Sequence, residues 1–543
     1  MTPPRPRPLV LAVLDGIGVA EPAEGNAVLA ARMPVLVELR ARGLSTSLAA
    51  SGVSVGLPEG ARGSGEAGLL TLGAGRIVKS TRVVIDDAIA ANKHGHNVEL
   101  DRLMQLAVYD ASPLHLIGLV STAGVHSSFE HLLALVDLAA FHEIPVVIHA
   151  VLDGVDTPPK SAASLLDRLQ LHLEGKNVVV GTVSGRHYAM DGDGRWDRVH
   201  CAFHAIVRDN VLGPTAQRSE TVFDALSLAY GQGITDAYVE PTRIGEYQGL
   251  RGDFLCDFSG TPPVWEWTGE DCGLVFHHRG DGLRQLTQLL GRDGLPDEIV
   301  SDLLMDRHHP VRAFREHCLG TLARSSSALS LPVAFPRAPS AACLGEVLAR
   351  AHCTQLRIFE SDRIDHATTF FGGGRELPVE GESRESVPSP KLIERYDEKP
   401  ELHIARVAQR AVAAIEAGQH DVIFVHLGSA ERVAGTGNRD ATKLALEALD
   451  VALGTIVKAT AAANGALVVT ADHGGCEALQ DSRGRSQGPH STNPVPFVLV
   501  CDGLDGASLR AGGGLADVAP TILDVLALEC PQEMTGRSLL IRG

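Results

Sequence analysis

Leu467-Val468-Val469-Thr470-Ala471-Asp472-His473-Gly474-Gly475 is an apolar, β-branched run that ends in an Asp-His pair and two glycines. It reads as a buried parallel strand, with the chain turning at the glycines. A carboxylate and an imidazole therefore stand at the C-terminal end of a central strand, where open α/β sheets collect their ligands. Taken alone, the stretch fits a plain turn-forming Asp-His equally well. Two other strand ends add to it: residues 9–14 stop at Asp15-Gly16, and His490 lies just before the strand Phe497-Val498-Leu499-Val500. These carboxylates and imidazoles, drawn from distant parts of the chain, form a donor set that suits Mn, Zn or Fe.

The chain has 543 residues, too many for one ordinary core, so two or three domains are expected. With 44% hydrophobic and 21% charged residues it is globular. Its formal charge of -18 argues against nucleic acid or an anionic membrane as partner and leaves room for a local basic pocket that takes a small anion. Nine cysteines without a CxxC pair indicate reduced thiols and no zinc ribbon. Arg5 and Arg7 precede an apolar run that ends at Asp15, shorter than a secretory core, and no later segment is long enough to span a bilayer. A soluble, cytoplasmic protein is expected.

In chain order, residues 26–42 have the spacing of an amphipathic helix. The glycine-dense run 63–76 reads as a loop whose backbone N–H groups can approach an anion. From residue 114 strands and helices alternate: strands at 114–120, 145–152 and 178–183, helices at 129–142 and 161–173, then a strand at 273–277 and a helix from 283. Such alternation implies a parallel sheet covered by helices. Trp265 and Trp267 suggest partial burial. Residues 323–339, small, polar and proline-bearing, read as a return linker. Beyond it come helix 344–351, strand 355–359, helix 402–417, strand 422–426 and helix 443–462, with 376–390 as a charged surface loop. Asp15 lies near one end of the chain, and Asp472, His473 and His490 lie near the other. The middle is thus inserted into the metal-bearing domain.

Many ordered motifs now accumulate: Leu14-Asp15-Gly16, Leu72-Gly73-Ala74-Gly75-Arg76, Gly124-Val125-His126-Ser127, Leu152-Asp153-Gly154, Thr182-Val183-Ser184-Gly185-Arg186, Arg195-Trp196-Asp197-Arg198, Thr436-Gly437-Asn438, Ala471-Asp472-His473-Gly474 and Thr492-Asn493-Pro494-Val495-Pro496-Phe497. Along almost its full length the chain resembles the cofactor-independent phosphoglycerate mutases of the alkaline phosphatase superfamily. The resemblance implies an α/β fold, an alkaline-phosphatase-like domain interrupted by an inserted α/β transferase-like domain. The expected boundaries are 1–79 and 341–543 for the metal-binding domain, 80–325 for the insert and 326–340 for a linker. It also implies phosphoryl transfer between the 3- and 2-oxygens of glycerate through a phosphoserine. Two Mn²⁺-type ions serve that reaction, one activating the nucleophile and the other cancelling phosphate charge.

Carried over position by position, the metal ligands are Asp15, Asp472 and His473 in one site, with His490 and Glu431 in the other. The substrate-binding positions are His126, Asp156, Arg186, Arg279 and Arg363, the last standing in place of the family's lysine, and Arg195 or Arg284 is a candidate to compensate for lost arginines. Several positions depart from the family. The nucleophile falls on Gly65, with Ser64 one residue early and Glu66 beside it as a candidate base. A ligating histidine is Gly435, and the family's aspartate is Glu431. Arginine positions are Val155, Gly192 and Gly282. Each arginine–phosphate contact is worth roughly 1.5–3 kcal/mol, so unreplaced losses weaken phosphate binding on the order of 10³ or more.

Three readings stay open. In the first, a repurposed metal-dependent transferase uses one or two Mn ions, or Zn, Fe, Co or Mg in their place. It passes a phosphoryl or phosphonyl group between small anionic phosphorus compounds, as in phosphinothricin-like phosphonate biosynthesis, with an activated phosphonoformyl donor needing no phosphoserine. In the second, a mutase uses Ser64. In the third, a binding or regulatory protein has lost turnover. A monomer is expected.

Overall fold

The computed structural model describes residues 5–191, 194–207, 217–250, 271–279, 282–296, 299, 314, 317–324, 329–389, 396–401, 403–480, 490–504 and 506–542. Gly192, Trp265, Trp267 and the linker residues Ser325 to Ala328 lie outside them. The chain divides into two compact units, Met1–Ser80 with Ala338–Gly543, and Thr81–Arg337. No helix among the described residues is long and apolar enough to cross a membrane.

The first unit is built on an eight-stranded sheet in the order Glu382–Val387, Gln355–Glu360, Val422–Leu427, Leu9–Leu14, Ala466–Thr470, Val495–Val500, Leu44–Ala49 and Gly513–Gly514. Leu9–Leu14 has every residue buried, as expected of a strand covered on both faces. It pairs in parallel with both Val422–Leu427 and Ala466–Thr470, and Gln355–Glu360 continues the parallel run. Four adjacent C-terminal strand ends thus open on one edge of the sheet. Val495–Val500 runs antiparallel to Ala466–Thr470, so the residues before it reach that same edge.

Three elements differ from the sequence expectations. The glycine-dense run is a helix, Gly65–Ala74, buried from Ala67 onward and capped by Ser64, whose Oγ accepts the Ala67 N–H at 3.3 Å. Its glycines permit close packing rather than a loop. A Cβ on Gly68 would lie 2.0 Å from the Asp472 carbonyl oxygen, and one on Gly73 would lie 2.0 Å from that of Phe371. The charged stretch 376–390 contains an edge strand, Glu382–Val387, paired in parallel with Gln355–Glu360. Its charges blunt the exposed edge, and Glu382 turns inward to pair with Arg357 at 2.8 Å. The helix read at 26–42 is broken into Ala27–Ala30 and Pro34–Arg42, because Pro34 takes the first position of a new helix.

The second unit holds a seven-stranded sheet, Gln217–Ser219, Thr242–Ile244, Val178–Gly185, Val146–Leu152, Leu114–Val120, Cys272–Val275 and Leu319–Thr321. All its pairings are parallel except Val178–Gly185 with Thr242–Ile244. Within its core, His115 Nδ1 and His149 Nε2 are 2.9 Å apart and His149 Nδ1 is 3.0 Å from Thr182 Oγ1. Burial, then the neighbouring His115 and Arg243, hold His149 well below its ordinary value of 6.5. The native state keeps this imidazole neutral, while the unfolded chain takes up a proton below about pH 6.5. Its contribution to stability is therefore intact above that pH and lost as pH falls, by up to about 1.4 kcal/mol per pH unit. Urea unfolding at pH 7.5 and 5.5 is expected to show this slope, reduced by one proton in His149→Gln; an unchanged slope in the variant would assign the proton elsewhere.

Candidate metal centre and phosphate site

Each of the four parallel strand ends delivers a side chain. Leu9–Leu14 ends in Asp15, Val422–Leu427 carries His426 and leads to Glu431, Ala466–Thr470 leads to Asp472 and His473, and Gln355–Glu360 leads to Arg363. The turn after Leu14 is tight. Gly16 has φ +74°, and a Cβ there would meet the Glu431 side chain at 2.8 Å. That glycine N–H donates to Asp472 Oδ1 at 3.3 Å, and the His473 N–H donates to the same oxygen at 3.0 Å. Asp472 is thereby oriented with Oδ2 left over.

Asp15, His426 and Asp472 bring donor atoms within 4.8 Å of one another, all buried. Among the described residues Oδ2 of Asp15, Oδ2 of Asp472 and both ring nitrogens of His426 have no hydrogen-bond partner, while His473 Nε2 stands 3.2 Å from Asp15 Oδ1 and Arg363 Nε and His426 Nε2 stand 3.6 Å from its Oδ2. Leaving such atoms buried and unsatisfied costs several kcal/mol, and a cation removes that cost. The charge pattern agrees. Burial and the Asp15 carboxylate push Asp472 up to about 7, whereas Arg363, His473 and His426 overcome burial and hold Asp15 well below its usual 3.8. Burial pushes His426 down to about 4, keeping it neutral and able to ligate. Oxygen and imidazole donors of this kind fit a divalent ion of the Mn, Zn or Fe sort.

Glu431, His473 and His490 also bring donors within 4.8 Å. His473 Nδ1 donates to the Gly474 carbonyl at 3.0 Å and His490 Nδ1 to that of Gly63 at 2.7 Å, so both rings turn Nε2 inward. This second set fits a metal poorly. The Glu431 carboxylate is already bonded to the Arg363 guanidinium, whose Nε lies 3.6 Å from Asp15 Oδ2. Gly435 offers no side chain, and a Cβ there would meet only the Arg432 and Glu431 carbonyls of its own turn. Burial disfavours the Arg363 charge, but Glu431 and Asp15 more than offset it and push the guanidinium above its ordinary value. Arg363, expected from the resemblance to bind substrate, thus stands among the metal donors of the first unit.

At the nucleophile position the backbone is bare. A Cβ on Gly65 would lie 2.7 Å from His366 Nε2 and 3.2 Å from Asp472 Oδ2, so the His366 imidazole fills the space a serine side chain needs. His366 opens the π-helical turn His366–Phe370, held by Arg357 donating to the Ala367 and Thr368 carbonyls at 3.0 and 3.1 Å. Arg363 Nη1 donates to His366 Nε2 at 3.3 Å. Glu66 sits half-buried in the first turn of the helix that Ser64 caps.

In the second unit three expected residues come together. Arg186 Nη1 pairs with Asp153 at 2.7 Å and Asp156 at 2.8 Å, and its Nη2 reaches His126 Nε2 at 3.3 Å. The main chain of Arg279 donates to the His126 carbonyl at 3.2 Å, and that of Arg195 donates to Asp191 at 2.8 Å. The lost arginine positions are visible here. Val155 is exposed, and a Cβ on Gly282 would strike Met190 at 2.5 Å and His126 at 3.1 Å.

Sequence reasoning missed three residues. His426 lay hidden at the end of an apolar strand, and His366 belongs to no motif singled out above. Glu477, also unremarked, accepts from the Gly18 and Gly475 N–H groups at 2.8 and 2.7 Å, from Asn493 Nδ2 at 2.9 Å and from the Ser491 hydroxyl. One buried carboxylate thus ties together the segments that carry Asp15, His473 and His490. Its only advance signal was its place two residues past a glycine pair at a strand end.

A buried Asp/His donor set on the C-terminal edge of a mostly parallel sheet defines a metalloenzyme, and the family profile of the Metalloenzyme superfamily matches residues 7–530. The chain is 39% identical to the 2,3-bisphosphoglycerate-independent phosphoglycerate mutase of Acaryochloris marina, over 98% of this chain and 95% of that one. It is 37% identical to the same-named protein of Syntrophotalea carbinolica over 98% of each. The crystal structure of Leishmania mexicana phosphoglycerate mutase at low cobalt concentration superposes with a TM-score of 0.86 at 25% identity, covering 100% of this chain and 99% of that one. The chain belongs to the 2,3-bisphosphoglycerate-independent phosphoglycerate mutase family, with the alkaline-phosphatase-superfamily α/β fold and a metal-dependent, mutase-like function.

Proposed function

We propose that the chain is a metal-dependent transferase that moves a phosphoryl or phosphonyl group between small phosphoglycerate-like anions without a serine phosphoenzyme. The observation that carries this is position 65, where the family's nucleophile is a glycine and the space for its side chain is filled by His366. What speaks against Ser64 supplying the missing hydroxyl is that its Oγ is engaged in capping a helix, where it accepts the Ala67 N–H. A hydroxyl nucleophile must sit within hydrogen-bond reach of its activating group.

Direct transfer asks less of the protein. The bond from phosphorus to the donor's leaving group breaks as the bond from phosphorus to the acceptor oxygen forms. The acceptor's proton passes to His366 Nε2, which accepts a hydrogen bond from Arg363 and is therefore unprotonated on that nitrogen. Asp15, His426 and Asp472 would hold the ion, with His473 turned toward Asp15 at 3.2 Å. A bound divalent ion supplies Lewis-acid stabilisation of the charge on the phosphorus oxygens. In the second unit, the support for anion binding is Arg186, oriented by Asp153 and Asp156 with its Nη2 beside His126, together with Arg279 and Arg195 as further cations. Activated donors of the phosphonoformyl type suit a metal centre without a serine nucleophile, because their leaving group spares the enzyme a covalent step.

Transfer from such a donor to glycerate, followed by ³¹P NMR with Mn²⁺ present, tests the reading. Ser64→Ala is expected to lose a helix cap, about 1 kcal/mol of stability, and to keep its turnover. A variant that folds but has lost all transfer would return the reaction to Ser64. If the metal-loaded protein melts no higher than the chelated one, the regulatory reading is preferred, since an ion bound only by the native state must stabilise it.

A further inference from the structure

We propose that the Arg363 guanidinium takes the place of the second cation, so that this chain binds one divalent ion where the family's two-metal chemistry uses two. The inference goes beyond the proposed reaction and does not depend on which donor is used.

A site for a second ion needs convergent donors that are unpaired, and the Glu431 carboxylate, though it converges with His473 and His490, is not unpaired. Its Oε2 is bonded to Arg363 Nη2, while its Oε1 is 3.7 Å from His490 Nε2. Gly435 removes a further donor. Position 435 has ordinary helical geometry, φ −58° and ψ −22°, so the backbone would accept a side chain there. His473 Nε2 lies 3.2 Å from Asp15 Oδ1, on the side of the first donor set.

The guanidinium also does what a second ion would do for charge. It lies between Asp15 and Glu431, reaching Asp15 Oδ2 through Nε and Glu431 through Nη2, with only 13% of its side chain exposed. The remaining terminal nitrogen, Nη1, faces His366 Nε2, beside the bare Gly65. A planar, permanently charged fork can compensate two carboxylates and still present an N–H to an incoming phosphorus oxygen, which a lysine ammonium at this position cannot match in geometry. The change at 363, the lengthening of the side chain at 431 and the loss of the donor at 435 are thus one structural event. A cation carried by the chain replaces one drawn from solution.

Counting the ions is the test. Metal-free protein is dialysed against Mn²⁺, bound ion is measured by elemental analysis, and electron paramagnetic resonance is recorded for a spin-coupled Mn pair. Wild type is expected to hold one ion per chain with no coupled signal. Gly435→His alone is expected to stay at one, and Arg363→Met with Gly435→His to rise to two, with circular dichroism confirming that each variant is folded. Two ions in wild type with affinities within tenfold of each other would overturn the inference, as would a second ion gained by Gly435→His alone. Should the double variant not fold, the wild-type count and the single variant still decide.

Discussion

Asp15→Asn is expected to lose tight metal binding and to lower turnover on the order of 10³-fold or more, several kcal/mol of transition-state stabilisation at about 1.4 kcal/mol per factor of ten. Asp15 faces three cationic or imidazole groups of the centre, with His473 at 3.2 Å and His426 and Arg363 at 3.6 Å. Asparagine keeps the shape and removes the charge. The variant also leaves Arg363 and His473 short of one buried counter-charge, so the metal-free protein is itself expected to be less stable. Elemental analysis after dialysis at micromolar Mn²⁺, together with steady-state rates, reads both effects. Retention of the ion at wild-type affinity would remove Asp15 from the ligand set.

Gly68→Ala is expected to destabilise the first unit by about 3 kcal/mol or more, at the upper end of overpacking costs. The added Cβ would lie 2.0 Å from the Asp472 carbonyl oxygen and 2.8 Å from its carbon, and this is main chain that cannot rotate away. Either the helix Gly65–Ala74 lifts or Asp472 moves, and both disturb the metal centre. Melting temperature is expected to fall by roughly 5–10 °C, and metal retention should fall with it. Gly231→Ala serves as the control. It ends the helix Val222–Gly231 with nothing within 4 Å of the new atom, and its effect is expected within about 0.5 kcal/mol of zero. Equal melting temperatures for the two variants would mean that the helix is not seated as described.

Much of this arrangement was legible in the chain. The strands Leu9–Leu14, Val422–Leu427 and Ala466–Thr470 are continuous apolar runs bounded by turn residues, which is the signature of a strand buried on both faces. Asp15, Asp472 and His473 follow from it, because each sits where such a strand stops. What could not be read depended on contacts between segments far apart in sequence. The run 63–76 looks like a loop by composition, and only the close approach of Asp472 and Phe371 makes its glycines helical. The strand Glu382–Val387 is polar by composition and is fixed by an edge position and the Arg357–Glu382 pair. His426 belongs to an apolar strand by pattern, and its role appears only when Asp15 is placed beside it. His366 is significant solely because residue 65 has no side chain.

The central claim is that the chain works without a serine phosphoenzyme. The measurement that addresses it most directly is ³¹P NMR of the Mn²⁺-loaded protein with 3-phosphoglycerate, wild type beside Ser64→Ala. The account predicts that neither protein forms 2-phosphoglycerate, while both transfer a phosphorus group from an activated donor. Formation of 2-phosphoglycerate by wild type that disappears in folded, metal-loaded Ser64→Ala would contradict it and establish a mutase with a displaced nucleophile.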